Sequence, residues 1–286
     1  MTNIQELENA ALEAFRPPKK LSLSEWADEY AYLSVESSAE GGRWRTLPYQ
    51  KGIMDAITDP SIEQVTVMKS ARVGYSKILN HVIAYHIHQD PCPIMIVQPT
   101  IEDATGYSKE EVAPMLRDTK CLHGLVSEAK AKDGQNTLLQ KQFPGGTLGL
   151  VGANSPRGFR RVSRRIVLFD EVDGYPVGGA GTEGDQIKLG IRRTEYYWNR
   201  KIVAGSTPTV QDFSRIEKLF SESDQRRYFV PCPECGEMQY FVWNNIKWQG
   251  NDLNTASYCC KSCGVFIPHS KKRWMVERGE WRATAE

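Results

Sequence analysis

The chain has 286 residues, of which 40% are hydrophobic and 25% are charged. These values are ordinary for a globular protein, and the length fits one α/β domain with a small attachment. No apolar run reaches the about 18 residues of a membrane span, so we expect no membrane-spanning segment. The 36 basic and 35 acidic side chains give a net charge of +1, which offers no global argument for nucleic-acid binding.

The start of the chain, residues 1–40, is a predicted segment that is helical and partly extended. Pro17 and Pro18 break its first helix, because proline lacks the N–H group that a helix interior requires. The segment does not have the pattern of a signal peptide, which predicts a cytosolic protein.

Two residues before the first predicted strand could bind a base: Tyr49 could stack on an adenine and Gln50 could hydrogen-bond to its edge. A turn with a surface glutamine is the alternative interpretation.

A strand, a glycine turn and a helix follow. Residues 62–68 are apolar enough for a short buried strand, and the apolar residues of 76–88 recur at helical spacing. This layout aims backbone N–H groups and a helix N-terminus at phosphates. An ordinary strand-to-helix turn is the alternative. The predicted nucleotide-binding loop consists of Lys69, Ser70, Ala71, Arg72, Val73, Gly74, Tyr75, Ser76 and Lys77.

The loop departs at two positions from the usual phosphate-binding pattern, G-x-x-x-x-G-K-[ST]. Gly74 is its second glycine and Ser76 its predicted Mg²⁺ ligand. Tyr75 holds the lysine position, and Lys69 holds the first glycine position. The chemistry still requires a cation near the β- and γ-phosphates. Three basic side chains are close enough in sequence to supply it: Lys69, Arg72 and Lys77.

An acidic strand end is the second candidate feature. The run Ile166–Phe169 predicts a central parallel strand buried on both faces, and it ends in Asp170 and Glu171. Open α/β sheets bind ligands at this carboxyl end. Asp170 is the predicted Mg²⁺ ligand, and Glu171 is the predicted general base for an attacking water. A strand that simply exits into solvent is the alternative, and the presence of the glycine turn argues against it.

A hydroxyl pair ends another apolar run. Residues 202–204 are followed closely by Ser206 and Thr207. Hydroxyl groups beside a bound nucleotide can sense its γ-phosphate. A helix N-cap or a turn explains the same residues.

Five arginines fall within nine residues, 157–165. They could contact DNA phosphates, or one of them could reach the ATP of a neighbouring subunit. Arg157 lies in a predicted turn and is the first candidate for this trans-acting arginine. A solvated basic loop is the alternative interpretation.

Two C-x-x-C-G motifs contain four of the seven cysteines. Cys232 and Cys235 form the first pair, Cys260 and Cys263 form the second, and 24 residues separate the pairs. Two such turns can complete a tetrahedral site of four thiolates, which suits structural Zn²⁺. A single pair of this kind is also typical of a redox centre, but the presence of two favours zinc.

These motifs together resemble the large terminase subunit of tailed bacteriophages, and the nearest type is the lambda-like GpA protein. The resemblance lies in the loop 69–77, VLFDEVD at 167–173, GSTP at 205–208 and the cysteine pairs, and it covers essentially the whole chain. It implies an α/β P-loop ATPase of the ASCE type, with a central, mostly parallel sheet flanked by helices. It also implies a small C-terminal zinc-ribbon-like element.

The resemblance implies roles for the basic and acidic residues. Lys69 and Arg72 match the residues that act on the phosphates, and Lys77 matches a second lysine of the lambda-type loop. Asp170 and Glu171 match the Mg²⁺ ligand and the catalytic carboxylate.

The remaining site residues also match family motifs. Ser206 and Thr207 match the motif that couples hydrolysis to movement. Tyr49 and Gln50 match the adenine-binding segment. The expected cofactors are therefore ATP with Mg²⁺, and structural Zn²⁺.

The predicted organisation has three parts. Residues 1–40 form a possible contact with the small terminase subunit, 41–225 form the ATPase, and 226–286 form the zinc-ribbon-like subdomain and an edge of the ATPase. The other expected partners are double-stranded DNA, the portal and procapsid, and further copies in a ring, all in the host cytoplasm. The complete family proteins continue into a nuclease domain, so we expect no cleavage activity from this chain.

Two other functions remain open. One is a general DNA helicase or translocase of the same ATPase superfamily. The other is a non-catalytic, zinc-containing module for DNA binding or assembly.

Overall fold

The computed structural model describes residues 19–126, 136–160, 162–179 and 184–285. The predicted first helix and the proline pair that ends it lie outside these residues. Helix α1, Leu23–Tyr30, begins with a capping box in which Ser22 and Glu25 exchange hydrogen bonds. A short antiparallel pair follows, formed by β1 (Tyr32–Leu33) and β2 (Gly42–Arg43).

Strands and helices then alternate along the chain, which is the pattern that produces parallel strand pairs. In order, the elements are α2 (Pro48–Thr58), β3 (Gln64–Met68), α3 (Tyr75–His88), β4 (Ile94–Gln98), α4 (Ile101–Tyr107), α5 (Ala113–Asp118), β5 (Gln140–Phe143), β6 (Gly146–Gly152), β7 (Ile166–Asp170), α6 (Gln186–Arg192), β8 (Lys201–Ser206) and α7 (Arg215–Ser221). A π-helical turn, Ser108–Val112, joins α4 to α5.

Six of the described strands form one sheet in the order β3-β8-β7-β4-β6-β5. Its neighbouring strands run parallel, except for β5 and β6, which pair antiparallel. Met68 of β3 lies opposite Ser206 of β8, and Asp170 of β7 lies opposite Gly205. Three strands therefore end together at one edge of the sheet. The prediction of an α/β fold with a mostly parallel central sheet is confirmed.

Strand β7 is buried on both of its faces. Ile166 and Leu168 pack into a core with α1 to α5, whereas Val167 and Phe169 pack on the opposite face with α6 and α7. All four side chains are fully buried, as the continuous apolar run predicts. Burial of each such side chain contributes about 1.5–3 kcal/mol before the entropy of ordering the chain is subtracted.

The C-terminal part of the chain forms two small sheets. Its elements are β9 (Arg227–Pro231), β10 (Met238–Gln239), β11 (Ile246–Gln249), β12 (Asp252–Cys259), β13 (Phe266–Pro268), α8 (Lys272–Glu277) and β14 (Glu280–Arg282). The strand orders are β10-β9-β14 and β11-β12-β13. Their shared apolar core contains six buried side chains, two of them cysteines. A core this small gives little stability by itself.

None of the described helices has both the length and the apolar character needed to cross a bilayer.

A buried histidine lies on α3. Neither ring nitrogen of His81 has a hydrogen-bond partner among the described residues, and the ring packs edge-on against Trp44, with 4.5 Å between centroids. Burial lowers the pKa of His81 to about 3. In the unfolded chain the same group titrates near 6.5. The unfolded state therefore binds the extra proton first, and stability is lost as the pH falls from about 6.5 toward 3.

We predict that His81→Leu reduces this acid sensitivity. By pH 5 the wild type should have lost about 2 kcal/mol of unfolding free energy through this group, and the variant should not have this loss. Denaturant unfolding at pH 7.5 and pH 5 measures the difference. His269→Gln, at an exposed histidine, serves as the control and should keep the wild-type pH dependence. Equal losses in wild type and His81→Leu would contradict the prediction.

Candidate nucleotide-binding site

The glycine turn lies between β3 and α3, as predicted. Gly74 caps α3 with φ of 83°, a left-handed conformation that favours glycine. Space is a second requirement, because a Cβ on Gly74 would lie 2.6 Å from the side-chain nitrogen of Gln50. That nitrogen donates a 2.9 Å hydrogen bond to the carbonyl of Val73. Gln50 therefore holds the turn from outside the loop.

Lys69 follows the last residue of β3 and points across the sheet edge. Its Nζ lies 2.6 Å from Oε1 of Glu171 and 3.5 Å from the hydroxyl of Thr207. The lysine side chain is only 9% exposed, so this charge is largely shielded from water. Its backbone N–H donates to the carbonyl of Ser206 at 3.1 Å, which extends the pairing of β3 with β8 by one residue.

Tyr75 explains why the usual lysine position can hold an aromatic residue. Its ring fills the space above Gly205 of β8, where a Cβ would lie 2.2 Å from the ring. Its hydroxyl donates to the carbonyl of Phe169 at 3.3 Å. The ammonium of Lys69 lies 5.5 Å from the ring centroid, within the range of a cation–π interaction. The lysine thus reaches the site from the end of β3, over a tyrosine that is built into the sheet.

Asp170 is the buried member of the acidic pair, with 5% of its surface exposed. Gln98, at the end of β4, donates to Oδ2 at 3.0 Å, and Oδ1 has no hydrogen-bond partner among the described residues. Burial raises the pKa of Asp170 to about 6; the nearby charge of Glu171 also raises it, while the Gln98 amide opposes the shift. A buried carboxylate oxygen without a partner is suited to a divalent cation.

Glu171 has a strained backbone, with φ of 49°. A non-glycine residue in this region costs about 1–3 kcal/mol and persists only where its surroundings enforce it. Here Oε2 accepts hydrogen bonds from the hydroxyl of Ser206 and the backbone N–H of Thr207, both at 3.3 Å. The hydroxyl of Ser206 also accepts from the N–H of Asp173 at 3.2 Å. The acidic doublet and the hydroxyl pair therefore meet, as their strand ends suggested.

Other predicted loop residues lie apart from this network. Lys77 forms an ion pair with Glu111 at 2.6 Å and donates to the hydroxyl of Ser37 at 2.9 Å. In this structure its charge is directed toward the helical layer and not toward the acidic pair. The exposed residues that complete the loop are Ser70, Ala71, Arg72 and Ser76. Arg72 has φ of 61°, another left-handed non-glycine residue.

The predicted adenine segment lies in the first turn of α2. The Tyr49 hydroxyl lies 3.5 Å from the Val73 carbonyl, and burial raises the pKa of Tyr49. Gln50 is almost fully buried, and its Oε1 accepts from the N–H of Leu47 at 3.0 Å. Both ends of the Gln50 amide are therefore bound to the backbone. In this structure that amide holds the loop instead of facing outward toward a base.

Arg157 lies in a short 3₁₀ turn beyond β6. Together with Asn154, Ser155 and Arg160 it lines a surface cavity of about 560 Å³. Among the described residues, Arg157 makes no contact with Asp170 or Glu171. Arg157 is exposed at this position.

The four predicted metal ligands converge. All of their sulfur atoms lie within 4.8 Å of one another, and the Cys232–Cys263 and Cys235–Cys260 pairs are 3.9 and 3.8 Å apart. Tetrahedral zinc with bonds of about 2.3 Å separates its sulfur ligands by about 3.8 Å. The side-chain amide of Gln239 donates to the Cys260 sulfur at 3.3 Å. The donor set therefore fits a closed metal site.

Three residues that contact the predicted site residues were not predicted from the sequence. Gln98 ends the apolar run of β4, and a polar residue at the end of a buried strand could have indicated it. Glu111 lies on the π-helical turn and contacts Lys77, and Trp281 lies on β14 and contacts Tyr49. No local pattern marks either of them, because both contacts are tertiary.

The mostly parallel sheet and the glycine turn at its edge define an α/β domain. The family model described as "Phage terminase large subunit gpA, ATPase domain" matches residues 38–281. The chain therefore belongs to the phage terminase large subunit gpA family, as the motif resemblance predicted.

Individual relatives agree with this assignment. The chain is 34% identical over 278 residues to a protein named "Terminase, large subunit" from Enterobacteria phage P21, covering 92% of this chain and 43% of the relative. It is 35% identical over 269 residues to the protein of the same name from Escherichia phage lambda, covering 91% and 42%. The chain thus spans less than half the length of these relatives.

A solved structure shares the fold. The HK97 bacteriophage large terminase matches with a TM-score of 0.55 and 14% identity, covering 70% of this chain and 40% of that one. At this identity the match speaks for the fold alone.

Proposed function

We propose that the chain is the ATPase motor domain of a DNA-packaging terminase, in which Mg²⁺-dependent ATP hydrolysis drives double-stranded DNA into a procapsid. One observation carries the proposal: Lys69, Glu171 and the Ser206–Thr207 pair meet in one hydrogen-bonded network at the carboxyl edge of a mostly parallel sheet. This edge is where open α/β sheets bind ligands. The glycine turn between β3 and α3 lies at the same edge and would be the phosphate-binding loop of a P-loop fold.

The phosphates would be held by the turn and its cations. The backbone N–H groups near Gly74 and the N-terminus of the 14-residue helix α3 attract anions. Lys69 supplies the shielded positive charge, and Arg72 is exposed and free to move toward a γ-phosphate. Lys77 becomes available only if it leaves Glu111, so we assign the leading role to Lys69.

Ser76 and Asp170 would hold Mg²⁺, whose charge offsets that of the phosphates when it is bound. Asp170 fits this role because one of its oxygens is buried without a partner. The Gln98 hydrogen bond fixes the orientation of the other oxygen.

Glu171 would act as the general base that orients the attacking water. In this structure both of its oxygens are occupied, by Lys69 on one side and by Ser206 and Thr207 on the other. A polyphosphate competes with Glu171 for Lys69, because it carries more negative charge at the same edge. Nucleotide binding would thereby free one carboxylate oxygen for water. Ser206 and Thr207 would stay hydrogen-bonded to Glu171 and would shift when Glu171 loses Lys69. This shift would couple hydrolysis to movement.

The remaining roles follow the family. Tyr49 would stack on adenine, while Gln50 keeps the loop in shape. Arg157 would act in trans on the ATP of a neighbouring copy in a ring, which its exposed position allows. Double-stranded DNA, the small terminase subunit and the portal of the procapsid are the proposed partners, in the host cytoplasm. The proposed parts are 1–40, 41–225 and 226–286.

A general DNA translocase or helicase of the same superfamily is the alternative enzyme. The site network does not distinguish it from a packaging motor, because both hydrolyse ATP in the same way. Strand separation on a forked DNA substrate would favour the helicase. A non-catalytic DNA-binding module is the weaker alternative, since it gives no role to the Lys69–Glu171 ion pair.

The cysteine cluster is proposed as a structural zinc site in a ribbon-like subdomain. It has four thiolate donors and leaves no position open for a substrate. Backbone N–H groups help to ionise it: although burial opposes the shift, those of Cys263 and Ser262 lower the pKa of Cys260 to about 6. Because the surrounding core is small, the metal would supply much of the folding free energy of this part.

Replacement of the proposed base should separate binding from turnover. We predict that Glu171→Gln lowers kcat at least about 100-fold, while the Kd for Mg·ATP changes less than about threefold. Steady-state hydrolysis and calorimetric titration measure the two quantities. Glu110→Gln, at an exposed carboxylate, is the control and should match the wild type. An unchanged kcat in Glu171→Gln would refute the assignment.

The two lysines of the loop should differ in importance. Lys69→Ala should reduce kcat/KM for ATP by at least about tenfold, because a charge-assisted contact to the phosphates is lost. Lys77→Ala should have a smaller effect, since its ammonium is held by Glu111. Kinetics of both variants under identical Mg²⁺ conditions provide the comparison. A larger defect in Lys77→Ala would transfer the phosphate role to Lys77.

Zinc should be present at one ion per chain, as determined by elemental analysis of the purified protein. We expect Cys263→Ser to lose the metal and to unfold at lower denaturant concentration, because a closed thiolate site loses one of its four ligands. Cys121→Ser, at a cysteine outside the cluster, should keep both the zinc and the stability. Absence of zinc from the wild type would rule out the metal assignment.

A further inference from the structure

The C-terminal part of the chain contacts the first turn of α2 through the indole of Trp281 and the ring of Tyr228. Trp281, on β14, donates a 2.9 Å hydrogen bond from its ring N–H to the carbonyl of Tyr49 in the first turn of α2. The ring lies directly against the helix backbone at Gly52, where a Cβ would be 2.4 Å from the indole. Glycine is unfavourable inside a helix, so its presence at this place is explained by the close approach of the ring.

The same helical turn grips the nucleotide-binding loop on its other side. Gln50 donates to the Val73 carbonyl at 2.9 Å, and the Tyr49 hydroxyl lies 3.5 Å from the same oxygen. Val73 immediately precedes Gly74, whose left-handed conformation sets the direction of the loop. A shift at the start of α2 is therefore passed to the turn through Gln50.

Trp281 is itself firmly positioned. It lies opposite Tyr228 in the antiparallel pair of β14 with β9, and the two rings are 5.3 Å apart between centroids. Tyr228 also contacts the ring of Tyr49 at 6.3 Å, and its hydroxyl donates to the carbonyl of Val276 at 2.8 Å. Strand β9 leads directly into Cys232 of the thiol cluster. The indole is thus held by the cysteine-bearing part of the chain.

We propose that Trp281 is a positioning residue for nucleotide binding, which acts on the loop through Tyr49 and Gln50. The proposal rests on the proposed ATPase function. It gives the C-terminal part of the chain a role beyond its own folding, which is to help set the conformation of the loop. Trp281 lies outside the phosphate and metal positions, so it acts on affinity and leaves the chemical step unchanged.

Trp281→Phe tests the hydrogen bond while keeping an aromatic ring at the contact. The expected result is a three- to tenfold increase in the Kd and KM for Mg·ATP, with kcat within about twofold of the wild type. Trp248→Phe is the matched control, because Trp248 is a half-exposed tryptophan on β11 in the same part of the chain. It should leave Kd, KM and kcat unchanged. An unchanged Kd and KM in Trp281→Phe would overturn the proposal.

Gly52→Ala provides a second test from the other side of the contact. Its methyl group displaces the indole without removing any polar group, and it should give the same increase in Kd. If the two variants act through one contact, the double variant should be no worse than the more severe single one. Additive defects would contradict a shared mechanism.

Hydrogen exchange without nucleotide separates this proposal from the ATPase function. In Trp281→Phe, amides of residues 47–53 and 70–75 should exchange faster, while those of β4 remain as in the wild type. Faster exchange confined to these segments supports the positioning role of Trp281, even if the wild type does not bind ATP. A wild type that does not bind ATP would contradict only the proposed function. Wild-type exchange rates in both segments would overturn the positioning role.

Discussion

The ion pair between Lys69 and Glu171 joins side chains that are 102 positions apart in the chain, and the rest of the site is arranged around it. It exists because β3, β8 and β7 end in parallel register, so that the residue after each strand emerges at the same edge. The strand between them supplies the hydroxyl pair that holds the other carboxylate oxygen. Without this register, the lysine, the carboxylates and the glycine turn would be unrelated surface features.

Burial changes the acidity of Asp170. Both faces of β7 are covered, so Asp170 emerges into a region with little water and holds its proton more tightly than a free carboxyl group. Glu171 keeps a strained backbone because the network around it enforces that geometry. These features are the basis of the proposal that the edge binds a ligand that brings phosphate charge and a cation together.

The C-terminal part of the chain depends on a different principle. Its apolar core is small, and four thiols converge next to it. A metal bound by these thiols would add the stability that a larger core would otherwise supply. Yet its contact with α2 lies within a few residues of the loop. A structural element of this kind can therefore influence the affinity for a ligand that it never touches, because helix α2 transmits the position of one indole to the glycine turn.

The sequence by itself determined the features that depend on local pattern. The continuous apolar run of β7 predicted a strand buried on both faces, and the spacing of the cysteine pairs predicted their convergence. The family was also evident from the motifs, and the mostly parallel sheet followed from it. The assigned roles of Lys69, Asp170, Glu171 and the other site residues stay predictions, as do the domain boundaries.

Only the tertiary structure decided which side chains face one another. Three basic residues of the loop were equivalent in sequence, but Lys77 meets Glu111 and Lys69 meets Glu171. Gln50 was predicted to read a base, whereas its amide is bound to Leu47 and Val73. The physical reason is that a side chain turns toward the partner that best offsets its charge or polarity. That partner is brought close by strand register and helix packing, which no local sequence window contains.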